Sequence, residues 1–243
     1  MEKRVTRMKI DSEKCVGCHR CIPYCPVAAI KINDGKSMID QDDCVECGAC
    51  LKAGVCQLHA LYQPPLSWPR SLRYQFSDPL GVHPGTKVSG RGTDEMKTND
   101  TTARFRLGEV GFGIEMGRPG IATTFHDLEI VAQYLASLDI EFEPMNPVTQ
   151  LLNPKTGVLK YPEVRKERVL SAIIEFKTNE NQIGQVLRKL ETAAKHIETV
   201  FSVSVISRCF KNTIPILPRL QAEGYQPRVN GKTNLGLGRP LRE

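Results

Sequence analysis

Apolar and polar positions alternate in several stretches of the second half of the chain, as they do in half-buried β-strands. These stretches are 109–116, 140–143, 169–176 and 200–206. Two further segments repeat apolar residues at helical spacing: Leu128, Val131, Ala132, Leu135 and Leu138, then Ile183, Val186, Leu187, Leu190, Ala194 and Ile197. Thr124 precedes Asp127 at the spacing of a capping box, and Asn179 stands where a cap of the second helix belongs. The predicted order is β-α-β-β-α-β.

That order predicts a split βαβ plait over residues 109–210, with an antiparallel sheet and both helices on one face. The fold class is therefore α+β. The topology does not specify a function, because plaits bind small molecules, form dimers or present a surface.

The first part of the chain carries an internal repeat. Ile10-Asp11 recurs as Ile39-Asp40 and Cys15-Val16 as Cys44-Val45, both at an offset of 29 residues. Between the two copies, apolar runs flank Asp34-Gly35, a dipeptide typical of a two-residue hairpin. The repeat predicts two β–loop–helix halves related by pseudo-twofold symmetry.

Eight of the nine cysteines lie within residues 15–56. They form the patterns C-x2-C-x2-C-x3-C-P and C-x2-C-x2-C-x5-C, made of Cys15, Cys18, Cys21 and Cys25, then Cys44, Cys47, Cys50 and Cys56. The alternatives are a disulfide knot and a zinc ribbon. The start of the chain has no apolar stretch typical of an export signal, which favours metal over disulfides. Zinc sites usually use two C-x2-C pairs rather than two triplets with two single cysteines.

These motifs resemble the bacterial two-[4Fe-4S] ferredoxin family over about residues 5–63. In that family the fourth cysteine of each motif ligates the other cluster. The resemblance therefore implies two [4Fe-4S] clusters. The first has the ligands Cys15, Cys18, Cys21 and Cys56, and the second has Cys44, Cys47, Cys50 and Cys25.

The second motif departs from the family pattern in two ways. It is two residues longer before its last cysteine, and Gln57 stands where the family usually has proline. Gly54 could let the longer loop turn. If Cys56 did not ligate, one cluster would be a labile [4Fe-4S] or a [3Fe-4S] species. His19 and His59 lie near the motifs as ligands or, by preference, as exposed residues that tune the reduction potential.

Residues 63–108 are predicted to be a linker, because Pro64, Pro65, Pro69, Pro79 and Pro84 interrupt regular elements. The polar stretch 91–100 is either a solvated loop or a structured loop that touches a partner or cofactor. Trp68 is expected to anchor packing or an interface. Residues 211–243 are predicted to be a basic extended tail that is disordered or covers a partner.

The remaining candidate residues for a functional site are interpreted as structural. Gly111, Gly113, Gly117 and Gly120 lack the spacing of a phosphate loop and indicate a bulge or a close backbone approach in a strand. The charged residues near the end of that strand form a site or, more commonly, paired surface charge: Glu115, Arg118, His126 and Asp127. Cys209 is expected to be a buried apolar thiol.

Composition limits the function classes. The chain has 243 residues, 40% hydrophobic and 25% charged, with no apolar run long enough to span a membrane. We therefore expect a cytoplasmic protein. The net charge is +6, but no Lys/Arg run interleaved with aromatic residues exists, so nucleic acid is not the expected partner.

The expected organisation is a ferredoxin domain (1–62), a linker (63–108), a plait (109–210) and a tail (211–243). No catalytic residues are assigned. We expect a non-catalytic electron-transfer subunit of a larger, anaerobic oxidoreductase, in a hetero-oligomer with a catalytic flavoprotein or metalloenzyme. The alternatives are a redox sensor or small-molecule-binding module built on the plait, and a ferredoxin-dependent reductase. The last rests on a faint resemblance of residues 91–120 to reductases of the 6-hydroxynicotinate reductase type.

Overall fold

The computed structural model of the chain describes residues 7–90, 92–93, 105–118, 120–211 and 213–228. Helices and strands are both present, which agrees with the α+β class. The strands are β1 (Lys9–Ile10), β2 (Ile30–Asn33), β3 (Lys36–Ile39), β4 (Leu61–Tyr62), β5 (Glu109–Met116), β6 (Thr123–Thr124), β7 (Glu141–Phe142), β8 (Arg168–Val169), β9 (Ala172–Asn179) and β10 (Phe201–Ser207). The α-helices are α1 (Ala49–Lys52), α2 (Ser71–Ser77), α3 (Phe125–Ala136), α4 (Pro147–Leu151), α5 (Ile183–Ala194) and α6 (Leu217–Ala222). None of the helices in the described part of the chain is long and apolar enough to cross a membrane.

Two short ribbons form the N-terminal unit. Strand β1 pairs antiparallel with β4, and β2 pairs antiparallel with β3. The predicted hairpin between β2 and β3 is confirmed, since Asp34 and Gly35 both have positive φ, at 47° and 72°. A small apolar core joins the two ribbons, formed by Met8, Ile30, Ile39 and Leu61.

A larger antiparallel sheet forms the second unit, with the strand order β10-β5-β9-β7. Apolar side chains of β5 and β9 share one large core with helices α3 and α5. Phe112 of β5 stacks on Phe176 of β9 with ring centroids 5.1 Å apart. This apolar core fixes the register of the sheet, because a slip of one residue would move every apolar side chain to the other face.

Two strand boundaries differ from the sequence prediction. The third strand of the sheet begins at Ala172 rather than at Val169, because Arg168 and Val169 pair with β6 in a separate ribbon. The second strand is reduced to Glu141–Phe142.

The predicted caps are present. The Thr124 hydroxyl accepts a hydrogen bond from the Asp127 N–H at 3.1 Å, and the Asp127 carboxylate accepts one from the Thr124 N–H at 3.2 Å. This reciprocal pair satisfies two backbone donors at the start of α3. The Asn179 side chain accepts from the Asn181 N–H at 2.9 Å, and a 3₁₀ turn then leads into α5.

The predicted linker and the predicted tail each contain a short helix. Helix α2 buries Leu72 and Phe76 in the large core. Helix α6 adds Leu220 to the same core. Prolines stand outside these helices or in their first turn, where a missing N–H costs nothing. The predicted tail beyond residue 228 and most of the polar stretch 91–100 lie outside the described residues.

Candidate cluster-binding site

The two cysteine loops begin with the same pattern of hydrogen bonds to an aspartate. The N–H of Cys15 donates to the Asp11 carbonyl at 3.0 Å, and the N–H of Cys44 donates to the Asp40 carbonyl at 3.0 Å. Each aspartate carboxylate also accepts hydrogen bonds from the N–H groups two and three residues further on. The repeat that the sequence indicated at an offset of 29 is therefore a repeat of structure as well.

Left-handed backbone recurs at matching positions of the two loops. The pairs are Gly17 and Glu46 (φ 70° and 58°), His19 and Gly48 (57° and 69°), and Ala28 and His59 (52° and 49°). Glycine is required at the first of these positions, because a Cβ on Gly17 would collide with the carbonyl oxygen of Gly35. The matching position tolerates Glu46, whose side chain is held by the contacts described below.

The fourth cysteine of each motif has the same local geometry. The Cys25 sulfur accepts the Ala29 N–H at 3.1 Å, and the Cys56 sulfur accepts the Ala60 N–H at 3.3 Å. The longer loop before Cys56 contains Gly54 in a left-handed conformation, at φ 64°. The additional residues therefore leave Cys56 in the position that the repeat predicts.

One pocket contains four cysteines from both motifs. Cys25 of the first motif lines it together with Cys44, Cys47 and Cys50 of the second. Apolar side chains complete its wall: Met8, Val27, Ile30, Ile39 and Val45. Four thiols in an apolar wall suit a [4Fe-4S] cluster, whose ligands are cysteine thiolates.

The other predicted set lies towards the outside. Cys21 and Cys56 pack against the small N-terminal core, Cys15 is half-buried and Cys18 is exposed. Among the described residues, no three histidine, cysteine or acidic side chains are placed to bind a single metal ion. A four-iron cluster is wider than one ion and holds its cysteines further apart.

Burial raises the pKa of the three second-motif cysteines that line the pocket, Cys44, Cys47 and Cys50. Burial raises the pKa of Cys44 to about 11, and burial with the neighbouring thiols raises the pKa of Cys50 to about 12. At Cys56, burial also acts to raise the pKa, but backbone N–H groups outweigh it and lower the pKa below its usual value. Cys44 and Cys50 therefore favour the protonated thiol at neutral pH, and a metal that binds them would have to displace those protons.

A buried ion pair supports the second loop, and sequence reasoning missed it. Glu46 is fully buried and accepts hydrogen bonds from Arg70 Nε at 2.6 Å and from the Met8 N–H at 3.0 Å. The Gln63 side chain donates to the same carboxylate at 3.0 Å. The only sequence signal was an acidic residue between two cysteines of the motif, at the position where the other loop has Gly17.

Helix α2 joins the second loop to the large sheet unit. Arg73 donates to the Cys44 carbonyl at 2.7 Å, and its Nε lies 2.5 Å from the Glu167 carboxylate. Arg168 pairs with Asp43 at 2.6 Å. These charged contacts fix the second loop against the rest of the chain.

Apolar contacts cover the same loop. Val45 and Cys47 pack with Ala122 and Leu170 in one buried cluster. Gly120 approaches the end of the first motif closely, since a Cβ added at this glycine would lie 3.2 Å from the Pro26 carbonyl oxygen. The cysteine pocket therefore adjoins the second unit directly.

The remaining candidate residues have structural roles. Glu115 pairs with Arg118 at 2.6 Å, which favours the interpretation as paired charge. His126 lies 4.0 Å from Glu129. His19 is 3.2 Å from the Ser37 hydroxyl, and His59 is exposed.

Three expectations for single residues are settled by the structure. Trp68 contacts Tyr161 edge to face and donates to Glu163 at 3.2 Å, so it anchors packing. Cys209 is exposed, so its prediction as a buried thiol was wrong. Gly117 and Gly120 lie in the turn after β5 rather than in the strand, and both have positive φ.

Comparison with known proteins agrees with this geometry. The family of 4Fe-4S binding domains matches residues 8–31, which contain the first four cysteines. The ferredoxin-like protein in the vnf region of Azotobacter chroococcum is 39% identical over 62 residues, covering 24% of this chain and 92% of that protein. The chain belongs to the ferredoxin family. Its ferredoxin domain is a 4Fe-4S electron-transfer domain.

Two other relatives of the ferredoxin domain are named as components of larger complexes. One component of an ion-translocating oxidoreductase complex from Methanosarcina acetivorans is 38% identical over 47 residues, 19% of this chain and 17% of that protein. The PorD component of pyruvate synthase from Methanocaldococcus jannaschii is 37% identical over 59 residues, 24% of this chain and 66% of that protein. No solved structure matches the chain.

Proposed function

We propose that the chain is the iron–sulfur electron-transfer subunit of a larger, anaerobic oxidoreductase in the cytoplasm, and that it carries two [4Fe-4S] clusters. The observation that carries the proposal is the pocket in which Cys25 of the first motif lies with Cys44, Cys47 and Cys50 of the second. This pocket adjoins the second unit through Ala122 and Leu170.

The ligand assignment follows the crossed pattern. Cys44, Cys47, Cys50 and Cys25 would hold one cluster, and Cys15, Cys18, Cys21 and Cys56 the other. Each [4Fe-4S] cluster supplies the uptake and release of one electron. The chain's own residues hold the thiolates, donate backbone N–H groups to Cys25 and Cys56, and shield the second loop from water.

We assign the sheet unit to the split βαβ plait. The strand order β10-β5-β9-β7, antiparallel pairing throughout and the contact between α3 and α5 support this assignment. Since α2 and α6 bury side chains in the same core, we include them in this unit and revise the boundaries of the linker and tail.

A partner protein is proposed from the ferredoxin domain's relatives, since one is named as a subunit of an ion-translocating oxidoreductase complex and another as a subunit of pyruvate synthase. We expect a catalytic flavoprotein or metalloenzyme in a hetero-oligomer. Anaerobic isolation from the native source, followed by assays for iron, flavin and subunit content, tests this. A stoichiometric flavoprotein or metalloenzyme supports the proposal. A chain that is isolated alone and turns over a substrate with a low-potential donor contradicts it and favours a reductase.

The cluster count is tested with cysteine variants. The intact chain should contain roughly eight irons, and Cys25→Ser and Cys56→Ser should each lose one cluster or convert it to a [3Fe-4S] species, a loss of about four irons or about one. Cys209→Ser is the matched control, because this exposed cysteine lies outside both motifs, and it should keep the full content. Iron analysis and electron paramagnetic resonance of the reduced protein measure the result.

Double variants test the crossed assignment. Cys25→Ser with Cys44→Ser should lose no more iron than either single variant, because both residues serve one cluster. Cys25→Ser with Cys15→Ser should lose both clusters. The opposite outcome would show that each motif ligates its own cluster.

A further inference from the structure

The two cysteine loops have equivalent backbone conformations, but their side chains differ in solvent exposure. Val16 of the first loop is 71% exposed, whereas its counterpart Val45 is 1% exposed. Cys18 is exposed and its counterpart Cys47 is buried. Within the part of the chain that the structure describes, the sheet unit covers the second loop through Ala122 and Leu170, while Val16 and Cys18 of the first loop are exposed.

The two loops also carry opposite charge. Residues 41–50 contain three acidic side chains and no basic one, namely Asp42, Asp43 and Glu46. This acidic loop meets arginines: Arg168 pairs with Asp43 and Arg70 with Glu46. Two of the three acidic side chains of the second loop are thus paired with arginines from later parts of the chain.

The matching residues 12–21 contain Lys14 and Arg20 against the single acidic Glu13. Both basic side chains are exposed, and Lys14 lies 3.7 Å from Asp11 in a loose surface ion pair. Lys36 of the neighbouring hairpin reaches the same loop and donates to the Ser12 carbonyl at 2.6 Å. Asp11 is occupied by backbone N–H groups of the loop.

We infer that the open face of the first loop, formed by Lys14, Val16, Cys18 and Arg20, is the docking surface for an electron-transfer protein with an acidic patch around its cofactor. The inference rests on the proposed function. An exposed apolar side chain and an exposed cysteine of the motif, with exposed basic residues next to them in the sequence, suit an interface that combines apolar and polar contacts. Complementary charge would guide the partner to this loop and away from the acidic one.

The experiment uses an acidic flavodoxin as the probe and the full-length chain with its iron intact. Binding is measured by calorimetry at low and high salt. In stopped flow, one electron leaves the flavodoxin hydroquinone, which becomes the semiquinone, and the chain gains that electron. For Lys14→Glu with Arg20→Glu, we expect the association rate and the affinity to fall by about tenfold at low salt, with a smaller fall at high salt.

The neutral variant Lys14→Gln with Arg20→Gln should give an intermediate loss of affinity and association rate. It replaces the charge-reversal variant as the test if the reversal disturbs the loop. Lys155→Glu with Lys195→Glu is the matched control, because it makes the same change of net charge at exposed positions of the sheet unit. Basic cytochrome c is the counter-probe and should react faster with the Lys14 and Arg20 reversal.

An equal loss in the control variant would overturn the inference, because net charge alone would then explain the effect. Unchanged binding in the reversal variant would also overturn it. A concentration-dependent dimer in ultracentrifugation that the reversal abolishes would assign this face to a second copy of the chain instead. Iron analysis separates these results from a failure of the proposed function, which would show as missing clusters in the unmutated chain.

Discussion

Glu46 shows how a single buried residue supports the second cysteine loop. It occupies a left-handed backbone position (φ 58°) that is unfavourable for a side-chain-bearing residue. Its carboxylate is fully buried and is satisfied by Arg70, Gln63 and the Met8 N–H. A buried charge is stable only with such partners, so the loop conformation and the ion pair depend on each other.

Glu46→Gln removes the negative charge and leaves Arg70 buried without a counter-ion. We expect the stability of the holoprotein to fall by on the order of 3 kcal/mol, because breaking one side of a buried pair leaves an uncompensated charge. Anaerobic urea unfolding and iron content measure the effect. Glu13→Gln, an exposed acidic residue of the other loop, is the control and should change the midpoint little. Equal midpoints for both variants would contradict this role of Glu46.

Some secondary-structure elements could be predicted from local sequence signals, whereas others depend on packing against distant residues. The capping box at Thr124 and Asp127 could be predicted from the sequence, because the two residues bond to each other within one helical turn. Helix α2 could not be predicted from the sequence, because its seven residues follow a proline-rich stretch. Its helical state is favoured by burial of Leu72 and Phe76 against distant residues. Phe76, for example, meets Phe125 edge to face at 5.3 Å.

Thr124→Ala should destabilise the protein by about 1 kcal/mol, because the Asp127 N–H loses its acceptor at the start of α3. Thr192→Ala is the matched control, since this exposed threonine of α5 bonds only to the Arg188 carbonyl one turn earlier. Its effect should stay within about 0.5 kcal/mol. Urea midpoints of the two variants make the comparison, and a control effect as large as that of Thr124→Ala would rule out the cap as the cause.

The whole molecule is arranged so that the two halves of the ferredoxin domain have different neighbours. Arg73 contacts both the Cys44 carbonyl and Glu167, and Val45 packs with Leu170. The second cysteine loop is thus part of an interface within the chain. We expect its conformation and that of residues 120–123 to change together when the proposed cluster is removed.

Removal of iron by a chelator under oxidising conditions tests this coupling. We expect hydrogen exchange to increase in residues 41–50, 70–78 and 120–123, because the contacts of Arg73 and Val45 need the loop conformation that bound thiolates maintain. Helix α5 lies elsewhere in the large core and should exchange as before. Mass spectrometry of the two forms measures the change. An increase confined to residues 7–62 would show that the interface does not depend on the clusters.

The sequence alone determined the chemistry of the N-terminal unit and the type and order of most elements. Cysteine spacing, the repeat at an offset of 29 and the hairpin at Asp34-Gly35 are local features that the backbone reproduces directly. Only the tertiary structure paired Glu46 with Arg70 and covered Val45 while leaving Val16 exposed. These outcomes depend on contacts between residues far apart in the chain. The two cysteine loops have equivalent local sequences, so those sequences alone cannot specify different contacts. The difference between the two cysteine loops is therefore decided by what packs against them.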